Sequence, residues 1–381
     1  MRQSLDKQRG VAIITAILVI ALGTVTMVAI TSSQQFDLQR ERNEGLIQQA
    51  RTLGISGERF AAAILYRDVQ AELRNNSDSL EDDWAQPIPP VPVDNATIQG
   101  CIVDMQGRFN LNNLVNEEGV VQLDYATQLQ RLLQQLSIDE TKAEAIIDWV
   151  DSDINFTGSE GAEDDYYTGL EVSYRAANRP FVSISELQLV KGFSSAVEDE
   201  LEDYTILLPH VSVLPAGAEP TPVNVNTATP EVIASLSDQA QFGATNLSRW
   251  DTGAYEDYPD CENIFDLEAD IEVSDRDVTP YESVADFDRE ADFQSPPADT
   301  QNNAQSATNA TATGQAATAQ DADEQDGSES ERPEVAYDVK SNYFQVRIDV
   351  EAEGIRLTQY TLFERDADGQ TRVIYRSRDT L

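Results

Sequence analysis

Seven carboxylates crowd into residues 148–165, and no basic residue lies among them. Such charges repel one another when they are left without partners, and the hard oxygen ligands of a bound Ca²⁺ relieve that repulsion. The candidate calcium ligands are Asp151, Asp153, Glu163, Asp164 and Asp165, followed by Asp148 and Glu160. A solvated acidic loop without an ion is the alternative interpretation of the same residues.

The order of the acids indicates an irregular loop. Asp151, Asp153 and Asn155 match the first three ligand positions of an EF-hand. The sixth position of that motif is Phe156 instead of glycine, and the twelfth is Ala162 instead of glutamate. We therefore expect similar ligand chemistry in a loop of a different shape.

Residues and motifs typical of enzymes are scarce in this sequence. His210 is the only histidine, and it lies in an apolar run, which favours a structural role. The sequence shows no nucleophile elbow, phosphate-binding loop or dinucleotide fingerprint. We therefore expect a protein that is not an enzyme.

Helical segments flank the acidic loop. Apolar residues recur at helical spacing through residues 124–150, and Ser137 and Glu140 have the spacing of a capping box. A short helix follows within residues 181–192 and ends at Gly192. A further helix is expected to carry Pro230 in its first turn.

Strands lie outside this helical region. Residues 96–104 read as a first strand, and residues 343–350, 355–365 and 371–376 alternate with period two, as a three-stranded meander does. The pairs Glu353-Gly354 and Asp368-Gly369 mark its turns.

The N-terminus predicts one membrane span. Residues 11–30 carry no charge, and twenty residues make about 30 Å of helix, the thickness of a bilayer core. Arg2, Lys7 and Arg9 precede them, so the bulk of the chain should lie outside the cytoplasm. The helix is expected to continue to about residue 75 and to stop before the prolines of residues 87–92. Its packing face is predicted as Leu46, Ala50, Leu53, Gly57, Phe60 and Ile64.

Composition limits the partners. The 381-residue chain has a net charge of −42, which repels nucleic acid and anionic lipid. Residues 256–300 are strongly acidic and predict sparse structure, and residues 296–333 have the composition of a disordered linker. Cys101 and Cys261 either form a disulfide in an oxidising compartment or stay as buried thiols.

The leader carries a family resemblance. Arg9-Gly10 followed by Val11 and an apolar segment resembles the class III signal of type IV pilins and type II secretion pseudopilins. The resemblance implies cleavage after Gly10 by prepilin peptidase and methylation of Val11. Most of those proteins have glutamate at the fifth mature position, where this chain has Thr15. That glutamate neutralises the amine of the subunit above, so its absence suggests a subunit at the filament tip.

Other strings resemble the secretion protein K family of minor pseudopilins. They are GRFNLNNL at residues 107–114, GAEDDYY at residues 161–167 and SNYF at residues 341–344. The resemblance implies a calcium-binding helical domain, a tip position and assembly with two other minor pseudopilins. It also implies contact with the major pseudopilin and the inner-membrane assembly platform, from a single-pass position with the bulk of the chain periplasmic.

Together these observations predict an α+β protein with the pseudopilin fold, in which a large all-helical domain is inserted. The expected segments are a leader at 1–10, a membrane helix at 11–30, the soluble spine at 31–78, a first strand region at 96–111, the helical insertion at 112–295, a linker at 296–333 and the meander at 334–381.

Three other functions share part of this pattern. An ordinary signal anchor would have the same apolar segment. A minor pilin of a type IV pilus would have the same leader, but it should keep the glutamate and lack the acidic insertion. Residues 223–228 resemble the helix-hairpin-helix of DNA-uptake proteins, although such sites need a basic face to meet phosphate.

Overall fold

The structure is a computed structural model. It describes residues 5–71, 77–86, 88–195, 197–237, 280–290 and 335–378. Of residues 256–300, for which we expect sparse structure, only 280–290 are among the described residues. The expected linker at 296–333 lies outside them.

One long helix, α1 (Leu5–Ala71), runs through the N-terminal part of the chain. Its 67 residues make about 100 Å of helix. Within it, Ile13–Gln70 holds an apolar window that is long enough to cross a membrane, and no described part of the protein buries that window. The predicted membrane helix and its continuation as a spine are thus one element, which ends near the predicted position.

A five-stranded antiparallel sheet packs on the spine. Its strands, in their order across the sheet, are β1 (Ile88–Val93), β2 (Ala96–Asp104), β7 (Tyr343–Ala352), β8 (Ile355–Arg365) and β9 (Thr371–Arg378). The predicted meander and the first strand are confirmed. Glu353 and Gly354 form the β7–β8 turn with φ of 46° and 86°, a backbone that glycine adopts without steric cost.

The sequence interpretation missed β1. It treated the proline cluster only as a helix stop, whereas Pro89, Pro90 and Pro92 lie in this strand. Proline lacks the backbone N–H that a central strand needs on both sides, so it is tolerated at a sheet edge. β1 is such an edge, since it pairs only with β2.

Small residues let the spine approach the sheet closely. Ala50 and Ala61 are fully buried, and a Cβ on Gly57 would lie 2.9 Å from Cγ2 of Ile348 in β7. Phe60, predicted on the same face, is instead 55% exposed. The close contact leaves no room for an aromatic ring, so small residues mark the buried face.

The chain between β2 and β7 forms a second, mainly helical unit with its own core. Its helices are α2 (Leu123–Gln135), α3 (Lys142–Val150), α4 (Asp164–Tyr167), α5 (Glu198–Leu207), α6 (Pro230–Ser235) and α7 (Val284–Glu290). It also contains short parallel strand pairs, namely β3 (Phe109–Asn110) with β4 (Val211–Ser212) and β5 (Val223–Asn224) with β6 (Tyr337–Asp338). The insertion is therefore not wholly helical.

Two features of the helical unit differ from the prediction. The helical segment 124–150 forms the two helices α2 and α3, and Ser137 between them has φ of 60°. Ser137 does not form the predicted capping box; a real one joins Ser183 and Glu186 at the 3-10 helix Ile184–Leu189. Val335 and Val339, assigned to the meander segment, are buried in the core of the helical unit.

The helical unit joins the sheet at the end far from the membrane span. Arg42 of the spine pairs with Glu353 at the near end of the sheet, at 2.5 Å. Asp68, near the end of the spine, pairs with Arg365 at the last residue of β8. The insertion leaves β2 after Asp104 and returns to β7 at this second end, since Asp104 pairs with Phe344.

Candidate metal centre

The acidic loop begins inside the core of the helical unit. Asp148 lies on α3 among buried apolar residues and has no exposed surface. Its Oδ1 accepts a hydrogen bond from the backbone N–H of Thr157 at 2.9 Å. This bond folds the chain after α3 back onto the helix and holds the two ends of the loop 151–157 close together.

Three of the predicted ligands meet in this loop. Oxygens of Asp151, Asp153 and Glu163 lie within 4.8 Å of one another. Asp151 and Glu163 are buried, whereas Asp153 is exposed. Glu163 immediately precedes α4, so the end of one helix and the start of another bring the carboxylates together.

The buried carboxylate oxygens lack hydrogen-bond donors. Oδ2 of Asp148, Oδ1 of Asp151 and both carboxylate oxygens of Glu163 are enclosed without a partner. A buried anionic oxygen without a donor is costly, and a cation with oxygen ligands removes that cost. Because the donor set is made of hard oxygens only, the residues fit Ca²⁺ better than a soft metal.

The same enclosure shifts the proton affinities of these carboxyls. Burial, reinforced by the charges of Asp148 and Asp151, raises the pKa of Glu163 to about 7. Burial and the neighbouring Asp153 raise the pKa of Asp151 to about 6. Burial also raises the pKa of Asp148. Protein without an ion therefore tends to hold protons where a cation would sit.

The remaining predicted ligands are placed elsewhere. Asp164 pairs with Arg175 at 3.0 Å and accepts the backbone N–H of Ala176. Glu160 pairs with Lys191 at 3.1 Å, and Asp165 is exposed on α4. The structure thus brings together Asp151, Asp153 and Glu163, with Asp148 beside them.

Asn178 was not predicted, yet it adjoins the centre. Its Nδ2 donates to the backbone carbonyl of Asp153 at 2.8 Å, while its Oδ1 is buried without a partner. Its φ of 44° is unusual for a residue with a side chain. A lone asparagine 25 residues after Asp153 carries no spacing signal, so the sequence alone could not assign it.

An aromatic wall backs the centre. Trp149 packs edge-on against Tyr167 with ring centroids 5.2 Å apart, and Tyr167 stacks on Tyr174. The Tyr167 hydroxyl accepts the backbone N–H of Lys191. The contact between Trp149 on α3 and Tyr167 on α4 packs the two helices against each other.

The segment that resembles a DNA-binding motif lies inside the helical unit. Residues 223–228 are all buried. Asn224 donates to Asp104 and Ser341, and Asn226 exchanges two hydrogen bonds with the backbone of Tyr281. These asparagines bind the protein's own chain, which disfavours phosphate contact. His210, likewise, bonds to Thr229 of the same unit.

The other predicted sites are only partly described. Cys101 on β2 takes part in a disulfide. Its predicted partner Cys261, the other cysteine of the chain, lies outside the described residues. Gly10 and Val11 both lie within α1, and cleavage between them stays a prediction.

Comparison with known proteins places this centre inside a family domain. The profile of the family described as "Type II secretion system (T2SS), protein K" matches residues 107–216, which include the whole acidic loop. Type II secretion system protein K of Pseudomonas aeruginosa is 39% identical over 248 residues, which cover 63% of this chain and 71% of that protein. The protein K of Pectobacterium carotovorum subsp. carotovorum is 35% identical over 233 residues, 59% of this chain and 68% of that protein.

The fold is also similar to a solved structure. The crystal structure of the GspK-GspI-GspJ complex from the type 2 secretion system of enterotoxigenic Escherichia coli matches with a TM-score of 0.61. The match covers 90% of this chain and 100% of that one, at 22% sequence identity. From the sequence relatives and this shared fold, we conclude that the chain belongs to the protein K family of the type II secretion system and is one of its minor pseudopilins.

Proposed function

We propose that this chain is the tip subunit of the type II secretion pseudopilus, that it starts assembly together with two other minor pseudopilins, and that it supports protein secretion across the outer membrane. The observation that carries this proposal is the place of the helical unit. It joins the sheet at the end marked by Asp68 and Arg365, away from the membrane span. A unit of this size there would obstruct a subunit stacked above it.

Thr15 agrees with a tip position. A subunit inside the filament needs a glutamate there to neutralise the amine of the subunit above it, since an unpaired charge in an apolar environment is costly. Threonine carries no charge. A subunit with nothing above it has no such amine to meet.

The length and the apolar character of α1 support a membrane arrangement for this chain. Residues 11–30 would lie in the bacterial inner membrane, with the bulk of the chain in the periplasm. Prepilin peptidase would cut after Gly10, and Val11 would be methylated. The major pseudopilin and the inner-membrane assembly platform would be further partners.

Calcium would occupy the acidic loop. Asp151, Asp153 and Glu163 would hold the ion. The charge of Asp148 acts on both Asp151 and Glu163, and its partnerless oxygen is a further candidate ligand. The ion would neutralise carboxylates drawn from α3 and the start of α4. Its role in this chain would therefore be to fix the loop and the two helices relative to each other.

Co-purification tests the proposal. The full chain, in detergent, is produced with the other two minor pseudopilins, and the mass of the complex is measured with calcium and with a chelator. We expect a one-to-one-to-one complex that weakens on chelation. Glu163→Gln should weaken it in calcium as well, with calcium affinity reduced by about tenfold or more.

Asp165→Asn is the matched control, because it removes an exposed carboxylate from the same loop region. It should leave both the complex and the affinity for calcium close to those of the unaltered chain. If the chain binds neither partner at any calcium concentration, the proposal is wrong, and a type IV pilus subunit or an ordinary signal anchor becomes the better interpretation.

A further inference from the structure

A short segment after the spine contacts both units of the protein. It comprises residues 77–86, and Trp84 within it is buried in the core that the spine forms with the sheet. The backbone N–H of Asp78 donates to the carbonyl of Val339 at 2.8 Å, and the carbonyl of Asp78 accepts from Nδ2 of Asn224 at 3.2 Å. Val339 and Asn224 belong to the helical unit. We refer to residues 77–86 as the clasp, because they join the helical unit to the sheet.

The clasp takes part in a buried polar network at this junction. The carboxylate of Asp78 pairs with Arg365 of β8 and accepts the backbone N–H of Ser341 at 2.8 Å. Arg365 also pairs with Asp68 of the spine at 3.1 Å. Asp104, at the end of β2, accepts from the hydroxyl of Ser341 at 2.6 Å. Its other donors are neutral groups, namely the side chains of Asn224 and Thr227 from the helical unit and the backbone N–H of Gln106.

Acids outnumber bases among the described charged groups of this junction. Asp82 of the clasp accepts the backbone N–H of Ser79 at 2.6 Å and the hydroxyl of Ser79 at 3.3 Å. The charges of Asp68 and Asp78 act on Asp82. The acids of the junction are thus Asp68, Asp78, Asp82 and Asp104, with the exposed Glu81 and Asp83 beside them. The basic groups are Arg365 and the half-buried Lys340, which precedes Ser341.

Enclosed negative charge in excess favours the uptake of a proton. Burial raises the pKa of Asp82 to about 6, and the charges of Asp68 and Asp78 add to this shift. Burial also raises the pKa of Asp78 to about 6, although Arg365 acts in the opposite direction. Burial raises the pKa of Asp104 too, against hydrogen bonds that favour its charged form. Because Arg365 favours the charged form of Asp78 and several donors favour that of Asp104, the proton belongs on Asp82.

We infer that the clasp is a proton-dependent joint between the two units, and that a proton on Asp82 keeps it closed on the helical unit. When the proton is lost, the new charge on Asp82 repels the carboxylates of Asp68 and Asp78. Asp78 carries both backbone contacts of the clasp with the helical unit. Its displacement therefore opens the contacts with Val339 and Asn224, and the helical unit is held less firmly against the sheet.

The direction of the pH response follows from proton binding in the two forms of the joint. The pKa of Asp82 is about 6 when the joint is closed, and it returns towards the ordinary value of 3.8 when the joint opens. Between these values the closed form binds more protons, so its stabilisation is complete below about pH 4 and is lost as the pH rises through about 6. One such group raises the equilibrium constant for opening by about tenfold between about pH 5 and about pH 7.

Amide hydrogen exchange of the full chain in detergent measures this opening. Peptides with Asp78 and Asn224 report on the joint, because their backbone N–H groups donate to Val339 and Gln106, and peptides from β7 and β8 are the internal reference. The chain carries Glu163→Gln and is kept in chelator, so that calcium and the proton of Glu163 do not contribute. After correction for the intrinsic exchange rate, protection at the joint should fall by about tenfold from about pH 5 to about pH 7, while protection in the reference stays constant.

Two uncharged variants test the assignment of the proton to Asp82. Asp82→Asn should abolish the pH response, because asparagine cannot ionise and its side-chain carbonyl can still accept from Ser79. Asp82→Ser also keeps an acceptor oxygen and should give the same result. Asp83→Asn is the matched control, since it removes an exposed acid from the next position, and it should keep the full response.

Three results would overturn the inference. One is constant protection of the joint across this pH range when Asp82 is present. Another is a full response in both Asp82→Asn and Asp82→Ser. The third is loss of the response in Asp83→Asn, which would assign it to the overall charge of the chain. The joint lies within one chain, so the inference stands apart from the proposed function, which the three-subunit complex tests.

Discussion

At the scale of single residues, the shape of the acidic loop depends on the buried carboxylate of Asp148. Asp148 has one oxygen bonded to Thr157 and the other without a partner, within a helix that is otherwise apolar at its buried face. Leucine at this position would suit the core but would leave the Thr157 N–H without its acceptor. Asp148 therefore stabilises the loop after α3 more than it stabilises α3 itself.

Proton and calcium should compete at this centre. Glu163 has a pKa of about 7 because it is buried beside Asp148 and Asp151, so below that pH it holds a proton that calcium must displace. We expect calcium affinity to fall as the pH is lowered from about 8 to about 5, as measured by titration calorimetry. Asp165→Asn should show the same pH dependence, and a flat profile would contradict the assignment of Glu163 as a ligand.

The calcium-free protein should respond to pH in the opposite direction. The pKa of Glu163 is higher in the folded state than its ordinary 4.5. Between these values the folded state binds more protons than the unfolded state, so the free energy of unfolding decreases as pH rises. Glu163→Gln should lose this part of the pH dependence when unfolding is followed in chelator.

The sequence predicts the loop of this candidate centre but not which of its carboxylates lie together. The density of acids in residues 148–165 marks the loop, because so many like charges need a cation or water. Asp164 was expected as a ligand, yet Arg175, eleven residues further on, claims its carboxylate. A return of the chain after α4 creates that pair, and no local pattern encodes the return.

At the scale of elements, one arginine joins the spine, the sheet and the start of β7. Arg365 is buried, pairs with Asp68 and Asp78, and donates to the carbonyl of Ser341 at 2.9 Å. Its guanidinium also lies 4.5 Å from the ring centroid of Phe344. These contacts fasten the end of the spine to the point where the helical unit is attached.

Removal of this arginine should be severe. Arg365→Met leaves two buried carboxylates without their cation, and we expect a loss of about 3–5 kcal/mol in the free energy of unfolding, measured by urea titration. Arg372→Met is the control, since the Arg372 side chain is exposed in its pair with Glu364 and such surface pairs contribute little to stability. Equal effects of the two substitutions would contradict a special role for the buried arginine.

The elements themselves were predictable where their patterns are local. The meander was found from period-two alternation and its turn glycines. β1 was not, because its prolines resemble a linker until pairing with β2 places them at an edge. The string with Asn224 and Asn226 resembles a DNA-binding motif, because the sequence does not tell whether an amide side chain binds phosphate or the protein itself. In the structure, Asn224 binds Asp104 and Asn226 binds the backbone of Tyr281.

At the scale of the whole molecule, each unit has its own main core, and a small apolar cluster of Val103, Leu214 and Leu362 joins them, so calcium should act mainly on the helical unit. The carboxylates and the aromatic wall belong to the core of the helical unit, whereas the spine packs with the sheet. On chelation we expect faster amide hydrogen exchange in residues 148–178 and unchanged exchange in β7 and β8.

Peptide-resolved exchange of the full chain in detergent provides the measurement, with Asp165→Asn as the control that should retain the calcium response. Equal acceleration in β7 and β8 would show that the ion stabilises the whole chain.

The alignment of the spine with the sheet has a mechanical consequence. β8 runs from the turn beside Arg42 to Arg365 beside Asp68, so its strand lies along the helix over about 35 Å. A thrust delivered from the membrane end would load the ladder between β7 and β8 in shear, with all of its hydrogen bonds sharing the force at once. Because α1 packs along the length of the sheet, a force along the helix axis would be distributed over the whole contact. The helical unit would then move together with α1, and the sheet would not separate from the helix one residue at a time.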